Sequence, residues 1–118
     1  MPDADIEIVE KHHNRKLDAP SGTALLLANE IKKVKPDAEF VCGRSGMAKR
    51  EKREIGIHAI RGGATIGVHE IIITTDSQTI TLSHEAHTRE LFAEGAVSAA
   101  AFVAKMPRGF YNMYDMIK

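Results

Sequence analysis

The stretch IGIHAIRGGATIGVHEIIITTDSQTITLSHEAH, Ile55 to His87, decides the fold of this chain. It divides into three segments rich in β-branched residues, IGIHAIR, IGVHEIIITT and QTITLSHEAH, each of strand length. Asp76-Ser77 lies between the last two and has the composition of a tight hairpin turn. In the third segment Ile80, Leu82 and His84 alternate with Thr79, Thr81 and Ser83, which predicts one buried face and one polar face. Gly62-Gly63 and Gly67 interrupt the first pair and mark a bend or a close backbone approach.

Working outward, Ile6, Ile8 and Val9 alternate with acids in DIEIVE and predict a strand that runs up to His12 and His13. Side chains alternate along a strand, so the two histidines are expected to point in different directions if the strand persists that far. Pro20 then sets a turn, and Ala24, Leu25, Leu27, Ala28, Ile31 and Val34 recur at helical spacing. Lys32, Lys33 and Lys35 fill the last turn, where the dipole favours cations, and Pro36 stops it. Glu39 to Cys42 is a brief strand. Gly43 to Glu54 is glycine-containing and strongly charged, so it reads as a mobile surface loop, or more sharply as a basic flap reaching toward an anion.

Toward the C-terminus a second helix is expected, capped by Thr88, with a wide apolar stripe through Leu91, Phe92, Ala96, Val97, Ala99, Ala100, Phe102 and Val103 suited to lying on a sheet. Met106 to Gly109 ends it, and the apolar tail from Phe110 should dock on something. The order β-α-β-loop-β-β-β-α predicts an α+β fold, a mixed sheet of about four to five strands with two main helices on one face. The other sheet face then needs a cover, and self-association across it is the expected one.

Composition narrows the function classes. The chain of 118 residues is expected to form a single domain. Its 16 basic and 16 acidic residues cancel, so nothing global points to nucleic acid or an anionic membrane. The single cysteine, Cys42, excludes an internal disulfide and fits a reducing compartment. No segment approaches the length of a membrane span and the N-terminus is acidic, unlike a basic signal peptide, so a cytoplasmic location is expected.

The chemistry concentrates in HHNRKLDAPSGT, His12 to Thr23. A cationic strand end here feeds a helix start, whose unpaired N–H groups and positive dipole end bind carboxylate or phosphate. Histidine titrates near neutral pH, so one of His12 and His13 is expected to act as an acid and the other to anchor an anion. Lys16, beside Arg15 and the imidazoles, is a further candidate proton donor. Ser21, Gly22 and Thr23 offer backbone donors and two hydroxyls, although an ordinary N-cap accounts for them equally well. Zinc is a rival reading of the six histidines. No Cys cluster or HExxH spacing accompanies them, and cations crowd the segment, so no metal is expected. His69, His84 and His87 read as structural or interface residues. Arg61 to Gly67 lacks both nucleotide-binding glycine patterns, so no cofactor is expected in this chain.

The run EKHHNRKLDAPSGTAL, Glu10 to Leu25, closely resembles the signature of the 4-hydroxy-tetrahydrodipicolinate reductase family, and RGGATIGVHEI and HEAHTRELFAEGAV extend the resemblance over nearly the whole chain. It covers the family's C-terminal, substrate-binding part. The resemblance implies a preceding Rossmann domain, absent from these residues, and a homotetramer or dimer assembled through the sheets. It implies that His12 and Lys16 are the acid residues, that His13 holds a substrate carboxylate, and that Gly22 and Thr23 contact another at the helix start together with Ser21. The family's reaction, in lysine biosynthesis, takes hydride from NADH or NADPH to a cyclic imine dicarboxylate and adds a proton to the adjacent carbon. In the family the last stretch packs toward the nucleotide domain, which leaves Phe110 to Ile117 without that partner. Beside this stand a non-catalytic dicarboxylate-binding or assembly module and, ranked last, a metal-dependent hydrolase.

Overall fold

The computed structural model describes residues 1–118, which pack as two compact units, Met1–His87 and Thr88–Lys118. The first is a five-stranded mixed sheet with one helix: β1 (Asp5–His12), α1 (Gly22–Lys32), β2 (Glu39–Cys42), β3 (Glu54–Arg61), β4 (Gly67–Thr74) and β5 (Thr79–Ala86). The strand order is β2-β3-β1-β4-β5. β1 lies parallel to β3 and antiparallel to β4, so the strand leading to the histidines is central and paired on both edges.

Alternation along β1 separates two faces. Ile6 and Ile8 pair with Ile55 and Ile57 of β3 and pack under α1, whose Ala24 and Ala28 are fully buried. Small residues on α1 let its backbone approach the sheet, and Leu27, Ile31, Phe40, Ile71 and Ile73 close the edges of this core. Each fully buried isoleucine there contributes about 2–3 kcal/mol. The helical spacing located α1 correctly but overstated its buried stripe: Leu25 and Val34 are exposed. The expectation of a buried face on β5 is also corrected, because Ile80 and Leu82 are 43% and 58% exposed. β5 is an edge strand, and the core under α1 is built from β1 and β3.

The opposite face carries ions. Glu7 lies across Gly56, where a Cβ would overlap its carboxylate. Its Oε2 is 2.6 Å from His58 Nε2, and its Oε1 accepts from Arg50 Nε at 2.9 Å. Arg50 also donates to Asp5 Oδ1 and to the carbonyls of Ile6, Glu51 and Glu54. Arg44 reaches Glu54 at 2.8 Å. Burial raises the Glu7 carboxyl, but His58 and Arg50 outweigh it and hold the group below its ordinary value. The charged segment between β2 and β3 is therefore tied to the sheet by two arginines, which corrects its reading as a mobile surface loop.

The second unit contains α2 (Glu90–Val103) and α3 (Met113–Ile117). Arg89, not Thr88, occupies the N-cap of α2 and makes no side-chain cap bond, and none of the helix's residues is buried. Phe102 meets Tyr111 edge-on with centroids 6.0 Å apart, and Tyr111 donates to Pro107 O at 2.6 Å. Asn112 and Asp115 form a capping box that starts α3. Phe110, Met113, Tyr114 and Ile117 are exposed. No helix is long and apolar enough to cross a membrane.

Candidate active site

Past Ile8, the same face of β1 continues into Glu10 and His12, so the stripe that builds the core ends in ionisable groups. The sheet register brings two more residues to them. Arg61 at the end of β3 sits opposite His12, and His69 on β4 sits opposite Glu10. The start of α1 supplies Ser21. Gly62 N–H donates to His12 O at 3.0 Å and Asn14 N–H to Gly63 O at 3.1 Å, so the glycine loop extends the pairing. Gly63 has φ +52°, the left-handed conformation that glycine adopts without strain.

Glu10 is the hub. Its side chain is fully buried. Oε1 accepts from Ser21 N at 3.0 Å and Arg61 Nη2 at 2.7 Å; Oε2 accepts from Arg61 Nη1 at 2.9 Å and lies 2.6 Å from His12 Nδ1. Burial raises the carboxyl, but Arg61, His12 and the Ser21 N–H together hold it below the ordinary glutamate value. His12 also meets the His69 ring edge-on at 5.2 Å. Burial, then the charges of His12, His84 and Lys16, lower the His69 pKa against the opposing effect of Glu10, which favours a neutral ring.

Ser21 is 2% exposed and its polar atoms are committed within the protein. Its hydroxyl accepts from Ala24 N at 3.1 Å and lies 2.9 Å from His69 Nε2, so it is the N-cap of α1. With Ala24 N and Leu25 N taken by Ser21, the N–H groups of Gly22 and Thr23 are the open donors at the helix start. Thr23 lines a cleft of about 320 Å³ with Leu27, His69, Ile71, Leu82 and His84. A larger cleft of about 610 Å³ lies elsewhere, among Pro2, Lys35, Asp37, Lys52 and Arg53. It holds no histidine and no helix start, so its size does not make it the site.

β1 ends at His12, so His13 leaves the ladder instead of continuing on the opposite face. Lys16 follows through a turn in which its N–H donates to His13 O, and its Nζ lies 2.8 Å from Asp18 Oδ1. That hydrogen bond lowers the Asp18 carboxyl. Sequence reading placed His12 and Ser21 in one region, and the structure joins them through Glu10. It missed Glu10, Arg61 and His69. The signal available for Glu10 was its spacing of two from His12 on a strand, which puts both on one face.

Comparison with known proteins agrees with this organisation. A family model described as dihydrodipicolinate reductase, C-terminus, matches residues 1–117. The chain is 56% identical over 115 residues to 4-hydroxy-tetrahydrodipicolinate reductase of Clostridium novyi (strain NT), covering 97% of this chain and 46% of that protein. It is 50% identical over 117 residues to the reductase of the same name from Methanosarcina acetivorans, covering 99% of this chain and 44% of that protein. Among solved structures, a dipicolinate-bound dihydrodipicolinate reductase from Paenisporosarcina sp. TG-14 superposes with a TM-score of 0.63 at 32% identity, over 81% of this chain and 37% of that one. The chain thus spans about half the length of the relatives it matches. From the histidine strand through the glycine loop to the final helices, this chain belongs to the dihydrodipicolinate reductase family and corresponds to its C-terminal domain.

Proposed function

We propose that this chain binds 4-hydroxy-tetrahydrodipicolinate, a cyclic imine dicarboxylate, and supplies the proton in its reduction to tetrahydrodipicolinate in lysine biosynthesis. The observation that carries the reading is His12, held through Nδ1 by a fully buried carboxylate beside the open N–H groups of a helix start. One substrate carboxylate is received by Gly22 and Thr23 over the turn that Ser21 caps, where the dipole and backbone donors favour an anion. The other is held by His13. The ring carbons lie in the cleft against Leu27, Ile71 and Leu82. The dipicolinate in the Paenisporosarcina reductase is an aromatic ring with two carboxylates, the same shape class.

Proton delivery falls to His12 Nε2, since Nδ1 is occupied, with Lys16 as the second donor. Gly67 leaves Nε2 room: a Cβ at that position would stand 3.3 Å from it. Hydride comes from NADH or NADPH in this reaction. The Gly62 N–H of the glycine loop is bonded to His12 O and is not free to hold a phosphate, so that N–H is given no part in binding the dinucleotide.

Calorimetric titration of the chain with pyridine-2,6-dicarboxylate tests the reading. One ligand per chain is expected, with weaker binding in His13→Ala, and absence of binding in the unmodified chain refutes it. In a reductase joining this domain to a cofactor domain, Lys16→Ala is expected to lower turnover far more than folding stability; equal losses make Lys16 structural.

The sheet face opposite α1, away from the part that Arg44 and Arg50 cover, is proposed to pair with a second copy, giving a dimer or tetramer. Val9, Ile60 and Ile72 stand on that face by strand alternation, opposite the α1 side, and Ile60 is 48% exposed. A monomeric mass by light scattering at micromolar concentration refutes it.

A further inference from the structure

Glu10 is a buried ion that touches neither solvent nor the cleft, and its bonds explain more than stability. An ionised carboxylate has about four acceptor sites and no donor. Here all are used: Ser21 N, Arg61 Nη1, Arg61 Nη2 and His12 Nδ1, at 2.6–3.0 Å. Because Arg61 and the Ser21 N–H fix both oxygens as acceptors, His12 meets an acceptor and must donate from Nδ1. The neutral ring therefore carries its proton on Nδ1, and Nε2 is the nitrogen left to gain and release one.

We infer that Glu10 is a positioning residue that sets the tautomer and orientation of His12, and that Arg61 and the Ser21 backbone serve this task by orienting Glu10. The inference rests on reading His12 as the proton donor. It also assigns Arg61, since both terminal nitrogens of its guanidinium bond Glu10 and one of them also donates to Asp18 O at 2.9 Å. Arg61 holds the glutamate and is not the receiver of a substrate carboxylate.

Glu10→Gln separates this role from packing, because glutamine keeps the volume. Its amide oxygen keeps most bonds at the Oε1 position, accepting from Ser21 N and Arg61 Nη2. The NH₂ then stands against one donor, Arg61 Nη1, whose bond is lost, and faces His12 Nδ1, which becomes an acceptor, so the ring proton moves to Nε2. The reverse orientation sets the NH₂ against two donors at once. The measurement is the pair of ring ¹⁵N shifts of His12 in this chain, followed with rising pH until they stop changing, so that the neutral ring is read directly. Expected are an Nδ1-protonated ring in the unmodified protein and an Nε2-protonated ring in Glu10→Gln. An Nε2-protonated ring in the unmodified protein overturns the inference even if the variant fails to fold, as does an unchanged tautomer in a folded variant. Neither readout involves substrate, so loss of dicarboxylate binding refutes the proposed function without touching this result. In a full-length reductase carrying the domain, Glu10→Gln is expected to lower kcat about a hundredfold, the scale of one general acid, with KM little changed. Combined with His12→Ala it should add no further loss; an added loss assigns Glu10 a separate, structural effect.

Discussion

Removing the Arg61 guanidinium while keeping its aliphatic stem, as in Arg61→Met, leaves Glu10 with only His12 and the Ser21 N–H. The bonds deleted from Glu10 are two charge-assisted contacts of 2.7 and 2.9 Å to a fully buried carboxylate, and the bonds to the Ile60 and Asp18 carbonyls go with them. Stripping one partner from a buried ion pair costs about 3–5 kcal/mol. The Arg61 side chain keeps 19% exposure, so water recovers part of the loss. We therefore expect about 3 kcal/mol at pH 8, a fall in urea midpoint of roughly 1–3 M for a slope of about 1–3 kcal/mol/M. The loss should depend on pH. In the unmodified chain the Glu10 value lies below its ordinary 4.5, so its stabilisation is present above that pH and is lost as pH falls through the lower folded value. In the variant, burial loses its main opponent, so the Glu10 carboxyl rises above its value in the parent and takes up a proton more readily. That proton removes the charge that the missing guanidinium had balanced. Acidification from pH 8 to pH 5 thus stabilises the variant relative to the parent and narrows the gap. Urea unfolding followed by circular dichroism at both pH values measures it. A loss below about 1 kcal/mol, or one independent of pH, refutes the assignment of Arg61 as the counter-ion of Glu10.

Three further outcomes follow from the same geometry. Gly56→Ala should destabilise by about 1–3 kcal/mol by expelling the Glu7 carboxylate, and by clearly less in a Glu7→Ala background, measured by urea unfolding. Gly67→Ala places a methyl 3.3 Å from His12 Nε2, so turnover of a full-length reductase bearing it should fall while the melting temperature moves little. The His69 value is lowered in the folded state by burial and neighbouring charge, so its unfolded form binds protons first and stability falls as pH drops below about 6.5. His69→Gln should therefore flatten the decline in stability between pH 7 and pH 5, and an unchanged slope in that interval contradicts the assignment.

The strands were legible because β-branched alternation is a local property, and Glu39 to Cys42 coincides with β2. Their pairing was not. β1 joins segments roughly fifty to seventy positions away, parallel on one side and antiparallel on the other, and no periodicity encodes that choice. Alternation in Thr79 to His84 showed that two faces differ, but not whether either is covered. Arg50 illustrates a deeper limit. In a run of cations it reads as solvated, while its partners Asp5 and Glu7 lie 45 and 43 positions upstream. Long-range ion pairing leaves no local signature, so the segment's attachment to the sheet was invisible. The Thr88 cap failed because hydroxyl residues are permissive cap formers, and α2 starts one turn position later without using one.

The site was half legible for a related reason. His12, Lys16 and the Ser-Gly-Thr turn stand in one dozen residues and declare themselves by density. Glu10 does not, because an acid within DIEIVE looks like any solvent-facing strand residue. Counting by twos from Ile6 and Ile8 leads to Glu10 and then His12, so the buried stripe runs unbroken from core to site. A carboxylate in that stripe is tolerated only where several donors converge on it. They converge because α1 docks on the same isoleucines and brings Ser21, while β3 pairs in register and brings Arg61. Packing of the core and assembly of the Glu10–His12–Arg61 network are therefore one event. Truncations in this network must then lower stability and activity together, and only volume-keeping exchanges, such as glutamine for glutamate, can separate the two.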